Sequence, residues 1–186
     1  DSINEIELFA YNQHWIQLGI VDEFHIQDDL LQFKGDDDSD PDHFRHRRLI
    51  DWLKNKKETD ELEIDALCEL VKNDIDISYA NNVVTEFHNS KFIQEDQRIL
   101  MESKIAKLSP FLKEFAKKKK VQRRILNDEL SKMELQQLIK KEKNSLLKLL
   151  VDKTEDFETL EILSAYKGSK KVRNIALQKM KKAGNK

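Results

Sequence analysis

Residues 144–182 read NSLLKLLVDKTEDFETLEILSAYKGSKKVRNIALQKMKK, and their spacing decides the fold class. Apolar residues recur three and four apart, the interval that gathers them on one face of an α-helix. Asn144, Thr154 and Ser169 stand where N-caps belong, each ahead of an apolar run. The stretch therefore predicts a helical segment over 145–165 paired with a second over 169–182. The same reading extends backward through pairs 110–127 with 131–142, 78–89 with 91–107, and 41–56 with 60–73. These pairs begin at 41, 78, 110 and 145, intervals of 37, 32 and 35 residues, which is the range of stacked helical-pair repeats. Composition agrees, because only 4 Gly and 2 Pro punctuate 186 residues and a β-sandwich or barrel needs many more turn formers. With 37% of residues charged and 39% apolar, the chain suits helices that each show one face to water.

Capping residues punctuate the rest. Ser131 and Glu134 have capping-box spacing, and Ser109-Pro110 and Asp40-Pro41 each supply a cap followed by proline at the first helical position. Ser90, Ser78, Thr59 or Asp60, and Asp22 are expected to open the remaining helices. Two N-terminal helices, 3–18 stopping at Gly19 and 22–34 ending before Gly35, form a cap over residues 1–35. An acidic loop, 36–42, leads into a body over 41–186 that reads as one continuous domain.

The C-terminal pair carries a family resemblance. Asn144 to Leu150, Thr154 to Leu163, and the Val172-Arg173-x-x-Ala176 pattern resemble a HEAT-like or armadillo-like repeat. The resemblance implies an all-α, right-handed α-α superhelix of stacked antiparallel pairs. It also implies that Val172 and Ala176 pack between helices while Arg173 braces the turn. Such repeats serve scaffolds, transport factors and some nucleic-acid enzymes, so the fold alone names no activity.

Charge is distributed unevenly. Residues 1–90 carry 8 Lys and Arg against 22 Asp and Glu, and residues 91–186 carry 25 against 13. The near-neutral total of −2 thus conceals an acidic half and a basic half, which either form a dipole or neutralise each other. Lys117, Lys118, Lys119, Lys120, Arg123 and Arg124 are the densest basic group, a candidate site for phosphate or an acidic partner. Four lysines in a row cover a full helical turn and cannot share a face. Lys119 points at the apolar stripe, so either its ammonium snorkels outward or the helix breaks there into a basic elbow. Lys179, Lys181 and Lys182 add to the basic end. Arg45, His46, Trp52 and Arg173 are expected to line a partner groove, with Arg45 also read as stacking on Trp52 or pairing with an acidic neighbour.

Chemistry beyond binding has little support in the residues. Asp36, Asp38 and Asp40 alternate as in the first half of a calcium loop, yet Pro41 stands where the motif needs Gly and Arg47 where it needs Glu. A mobile acidic linker is the simpler expectation. His43 and His46 lie three apart but lack a second pair of metal-ligand spacing. Cys68, at core spacing between Leu67 and Leu70, is expected to be inert. Asp51 beside Trp52 is the single feature shared with HEAT-like DNA glycosylases, and an enzyme would require Asp51, Trp52 and His46 to meet around a cavity. No phosphate-cradling glycine loop and no hydrolase or zinc motif is present. The sequence therefore predicts a non-enzymatic protein-interaction or scaffold module with no cofactor, no metal and an unnamed protein partner. A nucleic-acid-binding repeat protein is the alternative, and self-association is open. No stretch is long and apolar enough to span a bilayer. With one cysteine and no route to an internal disulfide, a cytoplasmic setting is the expectation.

Overall fold

The computed structural model describes residues 7–35 and 40–185. Among them the chain is helical, with no strand. Residues 7–9 are helical, followed by α1 (Gln13–Gln17), α2 (Glu23–Lys34), α3 (Pro41–Asn55), α4 (Glu61–Lys72), α5 (Ile77–Asn89) and α6 (Glu95–Ile105). Then come α7 (Pro110–Leu126), α8 (Lys132–Lys140), α9 (Asn144–Lys153), α10 (Phe157–Ser164) and α11 (Lys170–Gly184).

Most caps act where the sequence put them. The side chains of Asp22, Asp40, Asp60, Ser131 and Ser169 accept backbone N–H groups at the starts of α2, α3, α4, α8 and α11. Four starts differ; at α9 the cap position is Lys143, and Asn144 lies inside the helix. Asp76 caps α5 in place of Ser78, accepting from the N–H groups of Ser78 and Tyr79. Gln94 opens α6, while Ser90 closes α5 and donates its hydroxyl to the Glu86 carbonyl. Asp156 caps α10, and Thr154 ends α9, so the segment expected over 145–165 is two helices.

The expected helix over 3–18 is also divided. Its residues 3–6 lie outside the described residues, and the remainder breaks at Ala10 (φ 55°) before Asn12 caps α1. The reason is aromatic. Phe9 and Tyr11 are 200° apart on an ideal helix, yet both are fully buried, with ring centroids 5.6 Å apart. Only a break lets both rings enter one core. Arg45 Nη1 donates to the Phe9 carbonyl (3.2 Å) that the break would otherwise strand.

The chain separates into two compact units, Asp1–Ala116 and Lys117–Lys186. The division falls inside α7, whereas the sequence placed its own boundaries at 35 and 42. In the first unit, Phe9, Tyr11 and Trp15 join Phe44, Leu49, Leu67 and Phe87 in one core. The two N-terminal helices therefore share the core of the helices after them. In the second unit, Ile125, Leu135, Leu147, Leu163 and Val172 form a separate core. Here Gly168 is required by close approach, because a Cβ at this position would overlap the Tyr166 phenol.

Buried ions set the helix positions in the first unit. Asp29 has no exposed surface and accepts from Tyr11 Oη (2.7 Å), Arg47 Nη2 (3.1 Å), Arg48 Nε (3.2 Å) and Arg48 Nη2 (2.7 Å). Burial beside this carboxylate pushes the Tyr11 phenol well above its ordinary pKa. The Asp29→Asn substitution keeps the shape but leaves Arg48 short of charge. It is expected to cost about 3 kcal/mol in urea unfolding, and a loss under about 1 kcal/mol would contradict this account.

Two helix ends in the second unit adopt left-handed residues without glycine: Asp128 (φ 56°) after α7 and Glu142 (φ 50°) after α8. At the second, Lys143 N–H donates to the Leu138 carbonyl (3.0 Å) and Glu142 N–H to Ile139 (3.1 Å), a Schellman closure. Because a side chain is strained there, Glu142→Gly is expected to stabilise the protein by about 1 kcal/mol. A higher thermal midpoint would show it, and a lower one would contradict it.

Candidate functional site

The basic group lies on α7, which begins where Ser109 Oγ accepts the Leu112 N–H (3.1 Å). The helix runs through all four lysines without a break, so no basic elbow forms. Lys117, Lys118 and Lys120 are exposed and Lys119 is half-buried. The snorkelling alternative thus fits Lys119, whose position faces the apolar stripe. Arg123 and Arg124 are half-buried. Arg124 serves the helix end, since it donates to the Glu129 carbonyl (3.0 Å) and pairs with Glu134 (2.5 Å).

The four groove residues are not gathered at one surface. Arg45 is fully buried, donating to Asp42 (2.8 Å) and by two nitrogens to Asp74 (3.2 Å each). That is the architectural role, and it removes Arg45 from any groove. His46 is 3% exposed and parallel to the Tyr79 ring, with neither ring nitrogen hydrogen-bonded. Arg173 lies in the second unit, where its Nη1 donates to the carbonyls of Tyr166 (3.0 Å) and Lys167 (2.9 Å), bracing the turn before α11.

Trp52 borders a cleft. It stacks on Phe87 (centroids 6.0 Å, 22° between planes), with Lys56 Nζ 4.7 Å from its ring centre. The cleft, about 510 Å³, lies between His25, Arg48, Asp51, Trp52 and Lys57. Its strongest groups are already engaged. Arg48 is held by Asp29 and Asp28, Lys56 pairs with Glu63, and His25 Nδ1 accepts the Asp22 N–H in a capping box. His46 is not among its walls, so Asp51, Trp52 and His46 do not meet. Cys68 is buried, and burial together with nearby Asp65 pushes its thiol up to about 11, leaving it protonated and inert at neutral pH.

Among the described residues no group of three His, Cys, Asp or Glu is placed to hold a metal ion. His43 is exposed while His46 is buried. Of the calcium pattern, Asp36 and Asp38 lie outside the described residues, and Asp40 caps α3. No described helix is long and apolar enough to cross a membrane. No family model, curated protein or solved structure matches the chain.

The residues that sequence reasoning missed are the buried carboxylates. Asp29 occupies the stripe Ile26, Asp29, Leu30, Phe33, at helix intervals i, i+3, i+4 and i+7. A charge on an apolar stripe is a legible signal of a buried ion pair. His88 and Glu102 form a second buried pair (2.7 Å), with exposures of 2% and 6%. They too sit on stripes, beside Val84 and Ile105.

The His46 environment has a pH consequence. Burial, with Arg45 alongside, lowers its pKa to about 4, against about 6.5 unfolded. Below pH 6.5 the unfolded chain binds a proton that the folded chain refuses. Stability is therefore full above that pH and falls as pH drops toward 4, by about 3 kcal/mol in all. Urea midpoints of the protein and of His46→Phe, measured across this window, should diverge, with the variant losing much of the slope. Parallel curves would contradict the assignment.

Proposed function

We propose that the chain is a non-enzymatic protein-interaction module with a surface of stacked, HEAT-like helical pairs. Packing supports the stacking. In the first unit α3 packs on α5, α4 on α5 and α6, and α5 on α6; in the second, α8 packs on α9, while α9 and α10 pack on α11. Apart from α1, which packs on α4, these contacts join neighbours and next neighbours in the chain, and α3 with α4, expected as a pair, is not among them. The Arg173 brace is the geometry that the HEAT resemblance implies.

The observation that carries the binding role is how positive charge is arranged in 117–186. This unit holds 20 Lys and Arg against 9 Asp and Glu, a net charge of +11. Even so, Lys132 pairs with Glu158, Lys148 with Asp152, Lys179 with Glu155, and Arg124 with Glu134. A nucleic-acid backbone rewards an unbroken line of free cations, since each phosphate contact releases counterions. A surface of interleaved charges instead suits the polar rim of a protein interface, where signs are matched locally. Against catalysis stand the inert thiol and the separation of His46 from Asp51 and Trp52.

Exposed Lys117, Lys118 and Lys120, on a unit of net +11, favour the second reading, nucleic-acid binding. Fluorescence anisotropy with duplex DNA and RNA at about 50 mM salt separates the two. The interaction role predicts binding no tighter than about 10⁻⁴ M, nearly unchanged when these three lysines become Glu. Tight binding that falls steeply with salt and disappears in the triple variant would overturn it.

A further inference from the structure

We propose that the outer face of α11 docks on the joined α4–α6 face of a second copy of this chain. The idea rests on the protein-interaction reading above and deepens it by naming the partner.

The first surface is a basic helix face with an apolar centre. Lys170, Asn174, Leu177 and Lys181 fall within an arc of about 60° on α11, and all four are exposed. Leu177 keeps 44% of its surface in water. Lys170 and Lys181 make no ion pair among the described residues, unlike Lys179 on the same helix, which is tied to the end of α9. The two lysines frame Leu177 along one line, and nothing in their own unit consumes their charge.

The second surface carries the opposite sign around an apolar centre. Helices α4 and α6 lie side by side, joined by Lys104, which pairs with both Glu61 and Asp65. Their outward faces, opposite the core residues Leu67 and Met101, present Leu62 at 79% and Ile99 at 50% exposure. Glu69 lies within about 20° of Leu62 on α4, and Asp96 within about 60° of Ile99 on α6. Both carboxylates are exposed and make no ion pair among the described residues.

The faces are complementary in kind: two lysines beside a leucine on one, and carboxylates beside a leucine and an isoleucine on the other. A helix of 15 residues spans about 22 Å, enough to lie along a twelve-residue partner of about 18 Å. Charge complementarity extends beyond the patches, since unit 1 has 13 Lys and Arg against 26 Asp and Glu while unit 2 has 20 against 9. That imbalance draws the basic unit of one copy toward the acidic unit of another and repels like units. The two patches are different surfaces, so the contact is heterologous. It propagates unless it closes into a ring.

Sedimentation of the full chain tests this. At about 50 mM salt the average mass is expected to rise with concentration, and the association constant to fall at least about tenfold by about 500 mM. The double variants Lys170→Glu/Lys181→Glu and Glu69→Lys/Asp96→Lys should each run at the mass of one chain. An equimolar mixture of the two should re-associate, because each supplies the face the other now fits. Circular dichroism and thermal midpoints show that both variants are folded. A wild-type protein that keeps the mass of one chain at every concentration would overturn the proposal. So would folded variants that fail to re-associate, or association that neither variant disturbs. Binding of a different protein by a monomeric wild type removes self-docking alone and leaves the interaction role standing; duplex binding with no change of mass removes both.

Discussion

A carboxylate with no surface in water fixes the first unit. Asp29 can stay ionised there only because Tyr11, Arg47 and Arg48 supply four donors at 2.7–3.2 Å. Those donors come from different segments, so one charge fixes α2 against α3 and against the chain entering α1. Arg45 does the same with opposite sign, tying α3 to the α4–α5 turn through Asp74 and to the preceding segment through the Phe9 carbonyl. Apolar stripes of leucine and isoleucine tolerate sliding by a turn at modest cost. A buried ion does not, because displacement strands a charge. The aromatic cluster of Phe9, Tyr11, Phe33 and Phe44 owes its single arrangement to these two ions.

How far the sequence could be read follows from this contrast. Local signals were legible wherever one residue and its near neighbours settle the matter. The helical period, the caps Asp22, Asp40, Asp60, Ser131 and Ser169, and the stop at Gly19 (φ 71°) belong here. Where two capping residues compete within a few positions, sequence order does not decide. Asp76 displaces Ser78, and Asp156 displaces Thr154, because a carboxylate is the stronger acceptor and sits where the preceding turn ends. The break at Ala10 was illegible in kind, since it answers to the core waiting for Phe9 and Tyr11.

The candidate sites divide the same way. Arg45 and His46 are expected to line a groove, with Arg45 also read as pairing with an acidic neighbour, as it does with Asp42 and Asp74. They stand four and three residues before Leu49 on its stripe, and for Arg45 that position outweighs residue type because Asp74 is within reach. Arg173 was legible through its resemblance, and its backbone acceptors depend on neighbours six and seven residues away. The four lysines leave the helix intact, with three of them exposed and Lys119 half-buried.

The two units carry net charges of opposite sign, and this constrains any binding role. Net charge changes sign between units that have separate cores, so neither field depends on the detailed packing of the other. Within the basic unit, cations are then spent on structure: Arg124 closes α7, Arg173 braces a turn, and Lys179 caps the end of α9. What remains is directional. Lysines left free beside an exposed leucine discriminate between partners that a diffuse positive field would treat alike, since the leucine gains only where an apolar side chain meets it. A polyanion supplies charge without that second term, and a protein face supplies both.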